Sequence, residues 1–306
     1  MDIIDLHCDT ISVLGEKNEN LYSNSGHFDI LRASEAGLIL QFFALFTMPA
    51  DRNSALRHTL RLAEKYLSQL DKYDDYLYPV KTAGDINNST ENHKIGCLLH
   101  LEGAECLGKD IAVLEILYRL GLRSIGLTWN HRNLLADGIG ESNGGGISDK
   151  GKEMIQAMDQ MGIILDLAHI SEKAYFEALE HYNRPVIVSH ANARQLCPHR
   201  RNLTDEQLRA LARHGGIVGV NQVSDFVAVE KPSLDKFIDH IIYISELIGV
   251  EHVALGSDFD GADDIVLKGV QDYKNLPAKM RERGFSEDEI RKILSENAGR
   301  TIKSII

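Results

Sequence analysis

The chain has 306 residues, of which 43% are hydrophobic and 25% are charged, and its formal net charge at pH 7 is −12. This length fits one large domain or two small ones, and the composition is ordinary for a soluble globular protein. The acidic balance argues against nucleic-acid partners, which need a basic face, and against anionic membrane surfaces, whereas it suits the binding of a cation.

The first apolar run spans residues 3–10 and contains His7, Cys8 and Asp9 near its end. If this run is a strand, His7 and Asp9 point to the same face at its carboxyl end, because side chains two residues apart share a face. A histidine and a carboxylate held in this way can bind a divalent metal such as Zn²⁺. On its own, the pair is better explained as a histidine satisfied by a neighbouring acid. The mixed, polar residues 11–32 predict a long loop.

Seven further apolar runs of strand length follow along the chain. They lie at residues 38–46, which stop before Pro49, and at residues 95–103, 123–128, 162–169, 185–190, 216–221 and 253–258. Helical spacing and N-terminal capping residues predict helices between and after these runs. These helices are expected at residues 54–70, 110–120, 148–161, 204–214 and 234–249, after the N-cap Ser171, and from the capping box at residues 286–289.

A glycine-rich segment at residues 137–151 carries six glycines between Gly138 and Gly151. It lacks the Gly-Lys-Ser/Thr ending of a phosphate-binding P-loop and the Gly-x-Gly-x-x-Gly order of a dinucleotide site. We therefore expect a flexible loop over a site rather than a phosphate cradle.

The alternation of these runs predicts the fold. Continuous apolar strands separated by crossover helices indicate a parallel sheet covered by helices. Eight such units in 306 residues favour a (β/α)₈ TIM barrel over an open sheet. Nothing resembling an internal linker interrupts the pattern, so residues 1–306 are predicted to form a single domain.

The ends of the predicted strands suggest where the chemistry lies. In this barrel, functional side chains collect at the carboxyl ends of the strands. Five of the strands end there in metal-type side chains, namely His7 with Asp9, Glu102, His169, His190 and Asp258. Each of these residues alone is more often structural. It is improbable, however, that five strands place such residues at the same end of the barrel by chance. The set is too large for one tetrahedral zinc with an open position, and it suits two metals with a bridging carboxylate and a bridging water.

Six short segments, in this order and on these strands, form a specific combination. They are Asp-Leu-His-Cys-Asp at residues 5–9, Leu-Glu-Gly at 101–103, Asp-Leu-Ala-His at 166–169, Val-Ser-His at 188–190, Arg-Arg-Asn at 200–202 and Gly-Ser-Asp-Phe-Asp-Gly at 256–261. With them the chain resembles the membrane dipeptidase (renal dipeptidase) family of zinc peptidases, peptidase family M19, nearly from end to end. The resemblance implies a (β/α)₈ barrel that hydrolyses dipeptides at a site holding two Zn²⁺ ions per chain.

The resemblance also implies a role for each matching residue. The metal ligands would be His7 and Asp9 for one zinc, His169 and His190 for the other, and Glu102 between them. Cleavage would then proceed through a metal-bridging hydroxide, with Glu102 as the catalytic bridging carboxylate.

Two further roles concern the substrate. Asp258 would act as a catalytic proton shuttle facing the bridging water and the substrate's amine end. Arg201 would bind the substrate's terminal carboxylate, since a guanidinium matches a carboxylate bidentately. Without the resemblance, Arg201 would be interpreted as a solvated surface base. Asp5, on the same predicted strand face as His7, is either a supporting partner of that ligand or a structural acid.

The chain departs from the mammalian members at two points. They carry a substrate-binding histidine after the threonine of the fourth strand, where this chain has Trp129 after Thr128, with His131 two residues on. Trp129 is therefore the candidate substrate-binding residue there, and the substrate range stays open. Mammalian members are also secreted and lipid-anchored, whereas this chain looks like a soluble microbial-type member.

Other features of the sequence agree with a cytoplasmic location. The four cysteines form no Cys-x-x-Cys pair, which argues against a disulfide framework and a cysteine-type zinc site. No secretory signal precedes the first strand, and no apolar run reaches the length of a membrane span. We expect a cytoplasmic protein with a dipeptide substrate and neither nucleic acid nor membrane as a partner. The family resemblance allows a homodimer, although no segment identifies an interface.

Two alternative functions stay open. One is a related binuclear-metal amidohydrolase acting on N-acyl amino acids, cyclic amides or lactones. Many such barrels carry His-x-His on strand 1 and a modified lysine on strand 4, whereas here strand 1 ends in His-x-Asp and strand 4 offers no lysine. The other is a non-catalytic binding protein, against which the intact set of ligand-type residues argues.

Overall fold

The computed structural model describes residues 1–14, 20–47 and 54–306. Within these ranges nine strands form one parallel sheet. They are β1 (Ile3–Cys8), β2 (Leu38–Phe46), β3 (Leu77–Pro79), β4 (Ile95–Glu102), β5 (Leu122–Gly126), β6 (Ile164–Asp166), β7 (Ile187–Val188), β8 (Ile217–Val220) and β9 (Val253–Leu255). The predicted strand end at Pro49 lies outside the described residues.

Eight of these strands close into a barrel. Strand β1 pairs with both β2 and β9, and β2 pairs directly with β4. The short β3 stands outside this ring, because it pairs only with the first three residues of β4, while β5 pairs with the last four. The predicted (β/α)₈ TIM barrel is confirmed.

The helices cover the barrel between successive strands. In the described part of the chain they are α1 (Thr10–Val13), α2 (Ile30–Ala36), α3 (Ala55–Lys72), α4 (Ala83–Glu91), α5 (Ile111–Leu120), α6 (Asp149–Met161), α7 (Glu172–His181), α8 (Asp205–Arg213), α9 (Ser224–Val227), α10 (Leu234–Ile248), α11 (Leu276–Glu282), α12 (Glu287–Arg291) and α13 (Asn297–Lys303). Both predicted capping boxes form, at Thr204 with Gln207 and at Ser286 with Glu289. None of the described helices combines the length and apolar character that a membrane crossing requires.

The structure corrects one expectation about local structure and adds elements that were not predicted. The long loop predicted over residues 11–32 is wrong in part, because α1 covers Thr10–Val13 and α2 begins at Ile30 with Asp29 as its N-cap. Its residues 15–19 lie outside the described ranges. Strand β3 and helix α4 were not predicted, since β3 has three residues and α4 carries few apolar side chains.

All four cysteines are buried free thiols.

An apolar cluster fills the barrel interior at the end opposite the strands' carboxyl termini. It draws residues from seven barrel strands and from α13. Among them, each 2% exposed or less, are Ile4, Leu40, Leu98, Ile164, Ile187, Ile217, Ala254 and Ile302. Further along β4 the interior side chains become His100 and then Glu102, because residues two apart share a face. The barrel interior is therefore apolar at this end and becomes polar towards its mouth.

Candidate metal centre

The carboxyl ends of the barrel strands bring the six predicted ligand-type residues to one mouth. His7 lies on β1 with Asp9 just after it, Glu102 ends β4, and His169, His190 and Asp258 follow β6, β7 and β9. All of these side chains are buried except Asp258, which is partly buried. The fold thus assembles the set that the strand ends predicted.

The donor atoms form two groups that share Glu102. In the first group, His7 Nε2 lies 3.0 Å from Asp9 Oδ2 and 3.7 Å from Glu102 Oε2. In the second, Glu102 Oε1 lies 2.9 Å from His169 Nε2 and 3.8 Å from His190 Nε2. The two oxygens of one carboxylate therefore face different groups, as expected of a carboxylate that bridges two ions.

Asp258 belongs to a third, overlapping group. Its Oδ1 lies 3.8 Å from His7 Nε2, and its other oxygen accepts a hydrogen bond of 3.1 Å from Asn221 Nδ2. The ligand atoms of His7, His190 and Asp258 all lie within 4.8 Å of one another, as do those of the two groups around Glu102. Asp258 thus faces the same space as the ligands while an amide holds its outer oxygen.

The electrostatics of the cluster favour a bound cation. Burial raises the pKa of Glu102 and of Asp258, since the charged carboxylates lose water. Burial alone would lower the pKa of His7, but the carboxylates of Glu102 and Asp9 outweigh it and raise that pKa to about 10. Asp9 Oδ1 is buried and has no hydrogen-bond partner within the described ranges. Three converging carboxylates, one of them with an unsatisfied buried oxygen, attract positive charge, so the residues fit divalent metal ions.

The second group carries neutral imidazoles. Burial, reinforced by the positive charges of Arg201 and His7, holds the pKa of His169 and of His190 well below the usual histidine value. Neutral imidazole is the form that coordinates metal. His190 Nδ1 also lies 2.8 Å from Ser189 Oγ, which in turn donates to the Asp166 carboxylate. Ser189 and Asp166 lie inside the motifs that suggested the site. Their residue types and spacing did not predict that they would support His190 through hydrogen bonds.

A β-bulge places His7 at the barrel mouth. Asp5 pairs with Gln41 and Cys8 pairs with Phe43, so β1 takes three residue steps where β2 takes two. The bulge breaks the strict alternation, and the prediction that Asp5 shares a face with His7 is wrong. The Asp5 carboxylate accepts hydrogen bonds from Tyr273 Oη and from the main-chain N–H groups of Ser257 and His7. Asp5 is therefore a structural acid that joins β1 to the segment after β9.

Two residues of the cluster have left-handed backbones. The φ angle is +64° at His169 and +65° at Asp258, a region that residues other than glycine rarely adopt. Such conformations cost about 1–3 kcal/mol and cluster at functional sites. Both follow the ends of short strands, where the backbone turns to direct the side chain into the mouth.

Gly261 lies close behind the first group. A Cβ atom at this position would lie 2.4 Å from both Asp9 Oδ2 and Asp258 Oδ1. We expect Gly261→Ala to displace these carboxylates and to reduce catalytic turnover on the order of 10²-fold, the cost typical of a 1 Å misplacement. Steady-state kinetics would measure the loss.

Gly84→Ala is the matched control for this substitution. Gly84 lies in α4, and its added Cβ would meet only Thr82 Oγ1 at 3.8 Å. Wild-type turnover in Gly261→Ala, or an equal loss in both variants, would contradict the prediction.

A cavity of about 650 Å³ opens over the cluster. Its floor includes Asp9, Glu102, His169 and Asp258, and its walls include Trp129 and Arg201. This volume is sufficient for a small peptide.

Arg201 is buried in the cavity wall, which excludes the solvated surface base suggested by the sequence alone. It is 6% exposed, one guanidinium nitrogen donates to the carbonyl of His190 at 3.2 Å, and its Nε has no partner among the described residues. Burial lowers its pKa, and the carboxylates of Asp258 and Glu102 counteract that effect. Arg201 thus lines the cavity and gives it a positive charge.

Trp129 forms an aromatic wall beside the second group. Its ring centroid lies 5.4 Å from that of Phe46, 5.7 Å from that of His131 and 6.1 Å from that of His169. His131 and Gly140 also line the cavity, so the glycine-rich segment reaches the site. The flexibility of that segment stays a prediction.

Comparison with known proteins agrees with this geometry. The profile of the family described as "Membrane dipeptidase (Peptidase family M19)" matches residues 1–305. The chain belongs to this family. The resemblance found in the sequence is therefore confirmed, and a metal-dependent dipeptidase is its coarse functional assignment.

Individual relatives extend the comparison. Dipeptidase tcpJ of Claviceps purpurea is 30% identical over 296 residues, which cover 92% of this chain and 70% of that protein. A metallo peptidase from Rhodobacter sphaeroides, solved with a phosphinate mimic of the dipeptide L-Ala-D-Ala, has a TM-score of 0.94 at 25% identity, covering 100% of this chain and 99% of that one. The solved M19 dipeptidase AC has a TM-score of 0.93 at 26% identity, covering 100% and 98%. The two solved structures share the fold over the whole of this chain.

Proposed function

We propose that the protein is a binuclear zinc dipeptidase. His7 and Asp9 hold one ion, His169 and His190 hold the other, and Glu102 lies between them. The observation that carries this proposal is the placement of Glu102, whose Oε2 lies 3.7 Å from His7 Nε2 and whose Oε1 lies 2.9 Å from His169 Nε2. Membership of the M19 family supports the same function.

The chemistry of amide hydrolysis matches the donor set. Zn²⁺ bound by such ligands lowers the pKa of a water molecule and polarises a carbonyl group. Asp258 lines the cavity and presents Oδ1 inward, so it accepts the proton that the attacking water loses. As the carbonyl carbon gains oxygen and its bond to nitrogen breaks, the Asp258 carboxyl returns that proton to the leaving amine.

The cavity walls orient the substrate. Arg201 binds the terminal carboxylate, because it lines the cavity and its guanidinium can pair with a carboxylate bidentately. Trp129, which also lines the cavity, contacts the substrate through its aromatic ring. Because the substrate's terminal carboxylate must reach Arg201, the enzyme would be restricted to short peptides with a free carboxyl end.

Metal analysis and a substrate panel test this function together. We expect two zinc equivalents per chain by elemental analysis, dipeptide hydrolysis that a chelator removes, and recovery when Zn²⁺ is restored. The panel should contain L-L and L-D dipeptides, N-acyl amino acids and lactones. Turnover of acyl or lactone substrates alone would favour the related amidohydrolase, and absence of both metal and turnover would favour a binding protein.

Two further expectations concern the protein's state in the cell. The homodimer allowed by the family resemblance stays a prediction, which sedimentation analysis of the metal-loaded protein would test. The cytoplasmic location also stays a prediction, which cell fractionation would test.

A further inference from the structure

Asn130 contacts the outer nitrogen of a proposed ligand. His169 Nδ1 lies 2.8 Å from Asn130 Oδ1, while His169 Nε2 faces Glu102 Oε1 at 2.9 Å. If Nε2 binds metal, it carries no proton, so Nδ1 must carry the proton and donate it to an acceptor. The amide oxygen of Asn130 is that acceptor, and it fixes both the tautomer and the orientation of the ring.

The three histidines of the cluster are supported in different ways. Ser189 and Asp166 support His190, whereas His7 Nδ1 has no hydrogen-bond partner in the part of the chain that the structure describes. The backbone of His169 is left-handed, so this residue does not have the regular geometry of a strand. The ring of His169 therefore depends on its contact with Asn130 more than a ligand on a regular strand would.

The glycine-rich segment holds Asn130 in place. Gly140 N–H donates to the carbonyl of Asn130 at 2.6 Å, and Ile139 N–H donates to the carbonyl of His169 at 2.7 Å. A Cβ on Gly140 would lie 2.4 Å from the Asn130 carbonyl oxygen, and one on Gly138 would lie 2.4 Å from its carbonyl carbon. The glycines are needed here for the close approach of two backbones.

We propose that Asn130 is a positioning residue for His169 and that residues 138–140 hold Asn130 in its place. The inference rests on the proposed metal site and adds a residue to it. It also gives a function to the glycine-rich segment, which packs against the main chain of Trp129 and Asn130.

Metal titration of Asn130 variants tests this role without relying on turnover. Asn130→Leu removes the acceptor at similar size, and Asn130→Asp keeps one. With Co²⁺ or Zn²⁺ added to metal-free protein, we expect Asn130→Leu to bind one of two ions 10–100-fold more weakly, the usual cost of losing such a partner, and the other ion normally. Asn130→Asp should retain both affinities within a few-fold. Asn183→Leu, at an exposed asparagine, is the control.

Gly140→Ala provides a second, independent variant in case Asn130→Leu does not fold. It should weaken the same single ion, because its Cβ would displace the Asn130 carbonyl, while Gly84→Ala should bind both ions normally. Two unchanged affinities in either Asn130→Leu or Gly140→Ala would overturn the proposal, as would equal weakening in Asn130→Asp and Asn130→Leu.

These outcomes separate this inference from the proposed function. Wild-type protein that binds two ions but hydrolyses no dipeptide would refute the dipeptidase proposal, and the titrations would still decide the role of Asn130. Wild-type protein that binds no ion would refute both.

Discussion

Glu102→Gln is expected to abolish dipeptide hydrolysis and to leave the protein with one tightly bound metal ion instead of two. Glutamine keeps the size of glutamate but presents one oxygen and one NH₂ group, so only one of the two groups around position 102 keeps its oxygen ligand. The substitution also removes a negative charge from a buried cluster. Removing one partner of a buried ion pair costs about 3–5 kcal/mol, or on the order of 10²–10⁴-fold in affinity.

Zinc content after dialysis and kcat with a dipeptide would measure this effect. The control is Glu115→Gln, which makes the same chemical change at an exposed residue of α5 and should leave both quantities unchanged. Two retained zinc equivalents in Glu102→Gln, with turnover near the wild-type rate, would refute the bridging role of Glu102.

The fold could be predicted from the sequence because most barrel strands are apolar runs that stop at or just before a polar residue. This held even for β7, whose regular pairing covers only Ile187–Val188, since the surrounding residues 185–190 are buried or nearly so. The site could be predicted for the same reason. In a parallel barrel, the end of every strand reaches the same mouth, so residue type and strand position together locate the ligands.

The features that the sequence did not predict depend on contacts between distant segments. The bulge in β1 shows only in the pairing with β2, and the exposure of Arg201 depends on which loops cover it. The contact between Asn130 and His169 joins loops after β5 and β6 that lie 39 residues apart in the chain. Periodicity describes one element at a time, so it cannot reveal such pairs.

Arg201→Leu is expected to raise KM for dipeptides strongly while lowering kcat much less. The guanidinium of Arg201 is proposed to bind the substrate carboxylate in both the ground state and the transition state, so its loss reduces uniform binding. Truncating a buried, hydrogen-bonded charge pair costs roughly 2–5 kcal/mol, which is on the order of 10²-fold or more in KM. Arg201→Lys should fall between Leu and wild type, since an ammonium keeps the charge but loses the bidentate geometry.

Dipeptide amides distinguish carboxylate recognition from a structural role of Arg201. Wild-type enzyme should cleave a dipeptide far more efficiently than its C-terminal amide, because the amide cannot pair with the guanidinium. Arg201→Leu should lose most of this discrimination, whereas Arg209→Leu, at a side chain of α8 that is 52% exposed, should keep it. If Arg201→Leu still preferred the free carboxylate by the wild-type factor, the substrate's terminal charge would have to bind elsewhere in the cavity, and the explanation for the restriction to short peptides would fail with it.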